Sequence, residues 1–250
     1  MLGGSQTSWQ RFEYKYLISE AQAELVRAFA ECHLRPDSHA DRSHDNQYPV
    51  HSLYLDSADL GLYQSSVAGQ KNRFKLRVRF YDDRADTPAF LEIKARKNDV
   101  IQKQRSAVSK DCVERILGSF CVVADDVGDG SPVARKAMER FCELSAKLLA
   151  RPRTIVSYMR EAYVDPDGGP TRVTFDRQLR CLATRSAVLS TDEPGWLELP
   201  EDWVVLEIKF TDTFPNWACQ MVEAVGLTRT SAAKYVRAID TLSSFGFGVA

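Results

Sequence analysis

"KNRFKLRVRFY", Lys71 to Tyr81, sets Arg73, Lys75, Arg77 and Arg79 at every second position and interleaves them with Phe74, Leu76, Val78 and Phe80. At the two-residue period of a β-strand the four cations project from one face and the four apolar side chains from the other. Like charges lined up along a strand repel, typically by tenths of a kcal/mol to about 1 per close pair. No acidic residue interrupts this row, so the face calls for an anion or for open water.

Three other segments share the design. In "RFEYKY", Arg11, Glu13 and Lys15 oppose Phe12, Tyr14 and Tyr16; in "FLEIKARK", Glu92, Lys94 and Arg96 oppose Leu91, Ile93 and Ala95; in "LEIKF", Glu207 and Lys209 oppose Leu206, Ile208 and Phe210. The stretches from Val50 ("VHSLYLD"), Arg153 ("RTIVSYMREAYV") and Thr171 ("TRVTFD") also read as strands, the last two joined as a hairpin by "DPDGGP", Asp165 to Pro170. Helices are inserted between them. Ser19 and Gln22 form a capping box with Ile18 placed for a hydrophobic staple, and Ser131-Pro132 opens a helix whose Val133, Ala137, Phe141, Leu144 and Leu148 form one stripe. Two shorter helices, "PNWACQMVEAVGL" and "SAAKYVRAIDTLSSF", close the chain, and "VAGQKN" around Gly69 reads as a hairpin turn. The aperiodic segment Arg35 to Tyr48 is expected to be a mobile loop near an opening.

The 250 residues are 44% hydrophobic and 27% charged, which excludes disorder and fibrous classes and suits one α+β domain over residues 11–245 behind a flexible N-terminus at 1–10. With 33 Lys and Arg against 34 Asp and Glu, the net charge of −1 gives no global field toward nucleic acid or an acidic membrane. Anion binding must therefore come from local segregation of charge. No apolar run approaches bilayer length and the start lacks a signal-peptide pattern, so the expected location is cytoplasmic, with no direct membrane insertion. The 6 scattered cysteines are expected to be reduced packing residues, and His33, His39, His44 and His51 to lie on the aperiodic loop or its flanks.

Two architectures accommodate the charged faces. One is a β-sandwich with wet outer faces, adequate for the two Glu-x-Lys strands, where solvated pairs are worth little. The other is a closed antiparallel β-barrel whose inward cations line a tunnel while helices and loops cover its apolar outside. A cationic tunnel would bind a polyanion strongly, because guanidinium forks match phosphate oxygens in a water-poor space. Glu13, Glu92 and Glu207 then suggest a divalent metal between carboxylate and phosphate, or else counter-ions to neighbouring lysines. Nucleic acid is disfavoured because the cationic row carries no stacking platforms.

In order along the chain, "RFEYKYLIS", "SLYLDSADLGLYQSSVAGQKNRFKLRVRFYDD", "FLEIKARK", "SYMREAYV", "VLEIKF" and "AAKYVRAID" resemble the landmarks of the VTC domain. That domain is the catalytic module of vacuolar transporter chaperone polyphosphate polymerases, in the CYTH or triphosphate tunnel metalloenzyme superfamily. The resemblance, from about Arg11 to Asp240, implies a barrel tunnel that binds ATP through its phosphates with Mn²⁺ or Mg²⁺ and transfers the γ-phosphate onto polyphosphate. It implies that Lys15, Arg77, Arg79, Lys94, Arg160 and Lys234 hold the triphosphate, with Tyr158 beside Arg160 and Glu207 as metal ligand. Arg11, Arg73, Lys75, Lys103 and Lys209 are further expected tunnel contacts.

Two positions depart from the family pattern. Ala233 stands where the family often has Ser before the last lysine, and Arg11 replaces the first Glu of the ExExK signature of tunnel triphosphatases while Glu13 is kept. Hydrolysis of a triphosphate therefore stands beside polymerisation, and a non-catalytic polyphosphate-binding module stands beside both. The sequence carries no SPX domain or transmembrane helix of the eukaryotic members, so export of a product is expected to need a separate membrane-protein partner. There is no P-loop motif.

Overall fold

The computed structural model describes residues 11–40, 46–98, 100–123, 126, 131–200 and 203–248, without the side chain of Arg11. The expected flexible segment 1–10 and His44 lie outside the described residues. The chain runs β1 (Arg11–Ile18), α1 (Glu20–Glu31), β2 (Arg35–Pro36), β3 (Gln47–Asp56), α2 (Gly61–Val67), β4 (Asn72–Phe80), β5 (Ala89–Lys97), β6 (Val100–Val108), α3 (Lys110–Ser119), α4 (Pro132–Leu148), β7 (Arg151–Val164), β8 (Arg172–Ala183), β9 (Leu197–Glu198), β10 (Val204–Thr211), α5 (Asn216–Val225) and α6 (Lys234–Ser244). One antiparallel sheet has the order β1-β10-β8-β7-β3-β4-β5-β6, with β2 on β7 and β9 on β8. The result is an α+β fold with helices flanking the sheet.

The expected closed barrel is not formed: β1 and β6 end the sheet, and no ladder joins them among the described residues. The cause is visible at β1. The end of its free edge is taken by the segment before α6, where Tyr16 bridges Arg229 and the Thr230 amide donates to the Lys15 carbonyl at 2.8 Å. On the other side of the gap, Gln102, Lys103, Gln104 and Arg105 of β6 are all exposed and give the strand no apolar face with which to seat a neighbour. Side chains span the gap instead, through Lys94 of β5 and Glu13 of β1 at 2.9 Å.

Alternation sorts the two faces as anticipated. Leu76, Val78, Phe80, Leu91 and Ile93 are buried on the outer face against Ile116 of α3 and Met138 and Phe141 of α4. Tyr16, Phe175, Leu206 and Ile208 pack outward against Ala23 and Val26 of α1 and Met221 of α5. The capping box at Ser19 and Gln22 is present, and Ile18 shares a cluster with Ala23. One helix departs from the expected outer covering: α6 packs its Tyr235, Ile239 and Leu242 with Tyr54, Val156 and Tyr158. Its Tyr235 ring stacks on Tyr54 at 4.8 Å.

Several local expectations change. Val133 is 80% exposed, and the buried stripe of α4 runs through Ala134, Ala137, Met138, Phe141, Cys142 and Ser145. Of the segment Arg35 to Tyr48, Arg35 and Pro36 pair with β7, the buried Asp37 pairs with Arg172, and Gln47 and Tyr48 belong to β3, while residues 41–45 of the expected loop lie outside the described residues. His51 sits inside β3, buried, with Nδ1 2.9 Å from Ser157 Oγ, and burial pushes its pKa down to about 4. "VAGQKN" is the exit from α2 into β4 rather than a hairpin, with Gly69 at φ 63°. Cys142 and Cys181 are buried as expected, whereas Cys32, Cys121 and Cys219 are exposed. Among the described residues no helix is long and apolar enough to cross a membrane.

The placement of α4 gives a stability test. Phe141→Ala should cost about 3–5 kcal/mol through lost burial and a residual cavity, while Val133→Ala should stay within about 0.5 kcal/mol. Urea midpoints of the two variants measure both, and equal costs would contradict the observed stripe.

Candidate functional site

Inside the curved sheet, Lys15, Lys75, Arg77, Arg79, Lys94, Arg160, Lys209 and Lys234 surround a constriction of about 70 Å³, together with Tyr54, Tyr158 and Glu207. A wider cavity of about 460 Å³ opens on the side of Arg73, Lys75 and Arg96, and one of about 830 Å³ on the side of Arg79, Tyr81 and Phe90. Strand direction fixes this order, since Arg73 faces Arg96 and Arg79 faces Phe90 across the β4–β5 ladder. The passage is therefore open at two unlike mouths.

Register decides which charges meet. Lys15 lies opposite Glu207 and Glu13 opposite Lys209 across β1 and β10, and Arg77 opposite Glu92 across β4 and β5. Lys15 Nζ is 2.8 Å from Glu207 and 3.0 Å from Glu13. Lys234, delivered by the first turn of α6, reaches Asp176 at 2.6 Å and Glu207 at 3.1 Å, and Arg160 grips Asp176 with two nitrogens at 2.6 and 2.7 Å. Glu92 is fully buried between Arg77 at 2.6 Å and Lys103 at 2.7 Å, with Arg105 at 3.5 Å. Lys209 approaches Glu207 at 3.3 Å.

Another row is compensated only in part. Lys75, Lys94 and Lys103 stand opposite one another across three strands. Lys94 has Glu13 and Lys103 has Glu92, but among the described residues Lys75 has no carboxylate within ion-pair distance. Burial, reinforced by Lys15, Lys94, Arg77 and Arg73, pushes the Lys75 pKa down to about 7. Arg79 is 6% exposed and is met by the hydroxyls of Ser52 and Tyr158 rather than by a carboxylate. These two cations have spare capacity for a ligand.

The carboxylates are held ionised. Burial opposes the charge of Glu13, Glu92 and Glu207, yet the lysines and arginines around them outweigh it and keep all three below the usual carboxylate range. Glu13 and Glu207, which converge on one lysine, supply the kind and number of protein donors that Mg²⁺ or Mn²⁺ takes when phosphate oxygens complete its shell. Glu92 faces Arg77, Lys103 and Arg105, the surroundings of a counter-ion. No cluster of three His, Cys, Asp or Glu residues forms a cation cage among the described residues.

Of the anticipated residues, Lys15, Lys75, Arg77, Arg79, Lys94, Tyr158, Arg160, Glu207, Lys209 and Lys234 meet at the constriction, Arg73 and Glu13 lie toward one mouth, and Lys103 lies toward the other. The side chain of Arg11 lies outside the described residues. Sequence reasoning missed Asp176, although alternation in "RVTFD" sets it with Thr174 on the face opposite Val173 and Phe175. It also missed Tyr54, whose hydroxyl accepts from Arg77 at 3.3 Å, and the support beneath Lys234. There the fully buried Asp56 accepts the Leu62 and Tyr63 amides at 2.9 Å and the Tyr235 hydroxyl at 2.7 Å, tying α2 to α6.

The Lys75 environment fixes a pH dependence. Its native pKa lies below the unfolded value near 10.5, so the unfolded chain holds the extra proton between about pH 7 and 10.5, and the ligand-free fold should gain stability as pH rises through that window. Binding of tripolyphosphate should run the other way. Below pH 7 Lys75 is already charged and adds no pH dependence; above it binding must take up a proton at Lys75, which by itself lowers affinity by up to about tenfold per pH unit, and Lys94 and Lys103, held near 8, add to the decline. Isothermal titrations from pH 6 to 9 check this, and Lys75→Arg should flatten the first decline.

Residues 10–243 match the VTC domain family. No curated protein sequence matches the chain. Among solved structures, HpAC1 from Hippeastrum, a protein with a dominant triphosphatase activity, is similar at 14% identity over 95% of this chain and 96% of its own, with a TM-score of 0.48. The PH1819 protein of Pyrococcus horikoshii OT3 is similar at 12% identity over 92% and 98% of the two chains, with a TM-score of 0.46. Because the family match spans nearly the whole chain and takes in every strand of the cationic passage, the chain belongs to the VTC domain family.

Proposed function

We propose that this chain is a metal-dependent polyphosphate polymerase that moves the γ-phosphate of ATP onto a polyphosphate chain lying in the passage. The observation that carries the reading is a constriction lined by eight Lys and Arg side chains, two of them, Lys75 and Arg79, without a carboxylate partner among the described residues, in a passage open at both ends. A compact anion would be served by a blind pocket. A linear polyanion needs entry and exit along one axis.

Phosphoryl transfer asks the protein for position and charge rather than for a nucleophile. Arg79, Lys75 and Arg77 along one strand, with Lys15, Lys94, Arg160 and Lys234 around them, would hold successive phosphates and stabilise charge on the equatorial oxygens in transit. Ala233, the N-cap of α6, makes no side-chain cap bond, which leaves first-turn amides of that helix to favour an anion beside Lys234. Asp176 holds Arg160 and Lys234 in place, and their remaining donors would be available to the phosphates. Mn²⁺ or Mg²⁺ held by Glu13 and Glu207 would neutralise phosphate charge.

Hydrolysis is the second reading, favoured by the retained Glu13 beside Glu207. It shares every phosphate contact and differs in the acceptor, water replacing the polymer end. For the polymerase, delivery of product across a membrane would fall to a separate membrane protein.

The test is incubation with ATP and Mn²⁺, with and without a short polyphosphate primer, followed by a polyphosphate-stained gel and a phosphate-release assay. A ladder is expected. Arg79→Ala should reduce it by about 10²–10³-fold, the usual loss of one preorganised donor to transferring charge. Glu207→Gln should shift the metal titration to higher concentration. Phosphate release without a ladder selects the triphosphatase, and binding without either product removes both enzymatic readings.

A further inference from the structure

Lys75 sits among like charges. On its own strand it lies between Arg73 and Arg77, across the β4–β5 ladder it faces Lys94, and Lys15 of β1 shares the constriction with it. The carboxylates that line the same space, Glu13 and Glu207, are held by Lys15, Lys94, Lys209 and Lys234. Among the described residues none stands within ion-pair distance of Lys75. An ammonium withdrawn from water beside four cations is destabilised relative to its free amine, and its pKa of about 7 agrees. Lys75 is half-buried and lines both the constriction and the 460 Å³ cavity beside it, so a small molecule in that cavity can reach the amine while the fold stays closed.

A neutral lysine amine is a nucleophile, and a cationic cleft concentrates anions around it. The reagent that suits both properties carries an anionic group for the neighbouring cations and an electrophilic carbon for the amine. We infer that Lys75 is a site of covalent modification by acyl phosphates, with the cations around it seating the phosphate and its amine taking the acyl group. This rests on the reading of the passage as a phosphate site. The Nζ lone pair attacks the carbonyl carbon and the bond from that carbon to the phosphate oxygen breaks. Inorganic phosphate leaves with the electron pair, and the Nζ proton passes to water or to the departing phosphate. The amide formed carries no charge and adds the bulk of the acyl group beside a constriction of about 70 Å³, so the passage loses a cation and narrows in one step. Lys15 and Lys234 are poor targets, because their carboxylate partners hold them above the usual lysine pKa and keep them charged. Phosphate already bound beside Lys75 covers the amine, so an occupied passage resists the modification and an empty one is shut by it.

The experiment exposes the folded, ligand-free protein at about pH 8 to acetyl phosphate and, separately, to acetic anhydride, a neutral acyl donor, and reads acetylation at each lysine by peptide mass spectrometry. At that pH an amine with a pKa of about 7 is about nine-tenths neutral, against less than about 1% for an ordinary lysine. Lys75 should therefore be acetylated at least about tenfold faster than the exposed Lys136 and Lys147. That preference should be about tenfold greater with acetyl phosphate than with the anhydride, and saturating tripolyphosphate should protect Lys75 while leaving Lys136 unaffected. Protein acetylated at Lys75 should bind tripolyphosphate about 10–100-fold more weakly. Lys75→Arg, which keeps the charge, should lose tripolyphosphate affinity far less under the same treatment, which separates Lys75 from any other acetylated lysine. Labelling of Lys75 no faster than Lys136, equal preference with the two reagents, or undiminished tripolyphosphate affinity after acetylation of Lys75 overturns the inference while the phosphate reading stands. Failure of the unaltered protein to bind tripolyphosphate removes the phosphate reading and acyl phosphate with it.

Discussion

Gathering Lys15, Lys75, Arg77, Arg79, Lys94, Arg160, Lys209 and Lys234 around a constriction of about 70 Å³ is the constraint that the rest of the molecule obeys. Charges withdrawn from water are stable only with partners close by. Glu13, Glu92, Asp176 and Glu207 supply those partners, each shared between two or more cations. The compensation is incomplete at Lys75 and Arg79. A fully neutralised passage would have little affinity left for an anion, and one with no carboxylates would be driven apart by its own repulsion.

The apolar face of each strand makes this tolerable. Because side chains alternate, a strand that turns cations inward necessarily turns Leu, Val, Ile and Phe outward, and the flanking helices α1, α3, α4 and α5 bury that outer surface. The hydrophobic term thus stabilises the sheet on one side against repulsion on the other. Helix α6 serves a different end. Fixed through Tyr235 by Asp56 and through Asp240 by the Tyr63 hydroxyl at 2.6 Å, it sets Lys234 against Asp176 and Glu207.

Legibility followed periodicity. Strands with one apolar and one charged face, such as β1, β4, β5 and β10, could be read directly. Strand β6 escaped notice because "VIQKQRSAV" alternates without an apolar face in its middle, as befits an edge. The short helix α2 has one fully buried side chain, Leu62, which is too little signal for a helical stripe. Val133 was assigned to the core of α4 because periodicity alone fixes a stripe only to within a residue, and packing against β5 and β6 selects Ala134 in its place.

The amino-acid sequence by itself determined the sorting of faces, the inward row on β4 and most of the residues at the constriction, since two-residue alternation is a local property of extended backbone. Tertiary structure decided what depends on neighbours distant in the chain. It decided that Asp176 pairs with Arg160 and Lys234, that Lys75 and Arg79 are left without carboxylates among the described residues, and that the two mouths differ. It also decided that the sheet stays open: residues 229–230 engage the β1 edge at Lys15 and Tyr16, where a backbone group used once cannot also pair with β6, and no ladder joins β1 to β6 among the described residues.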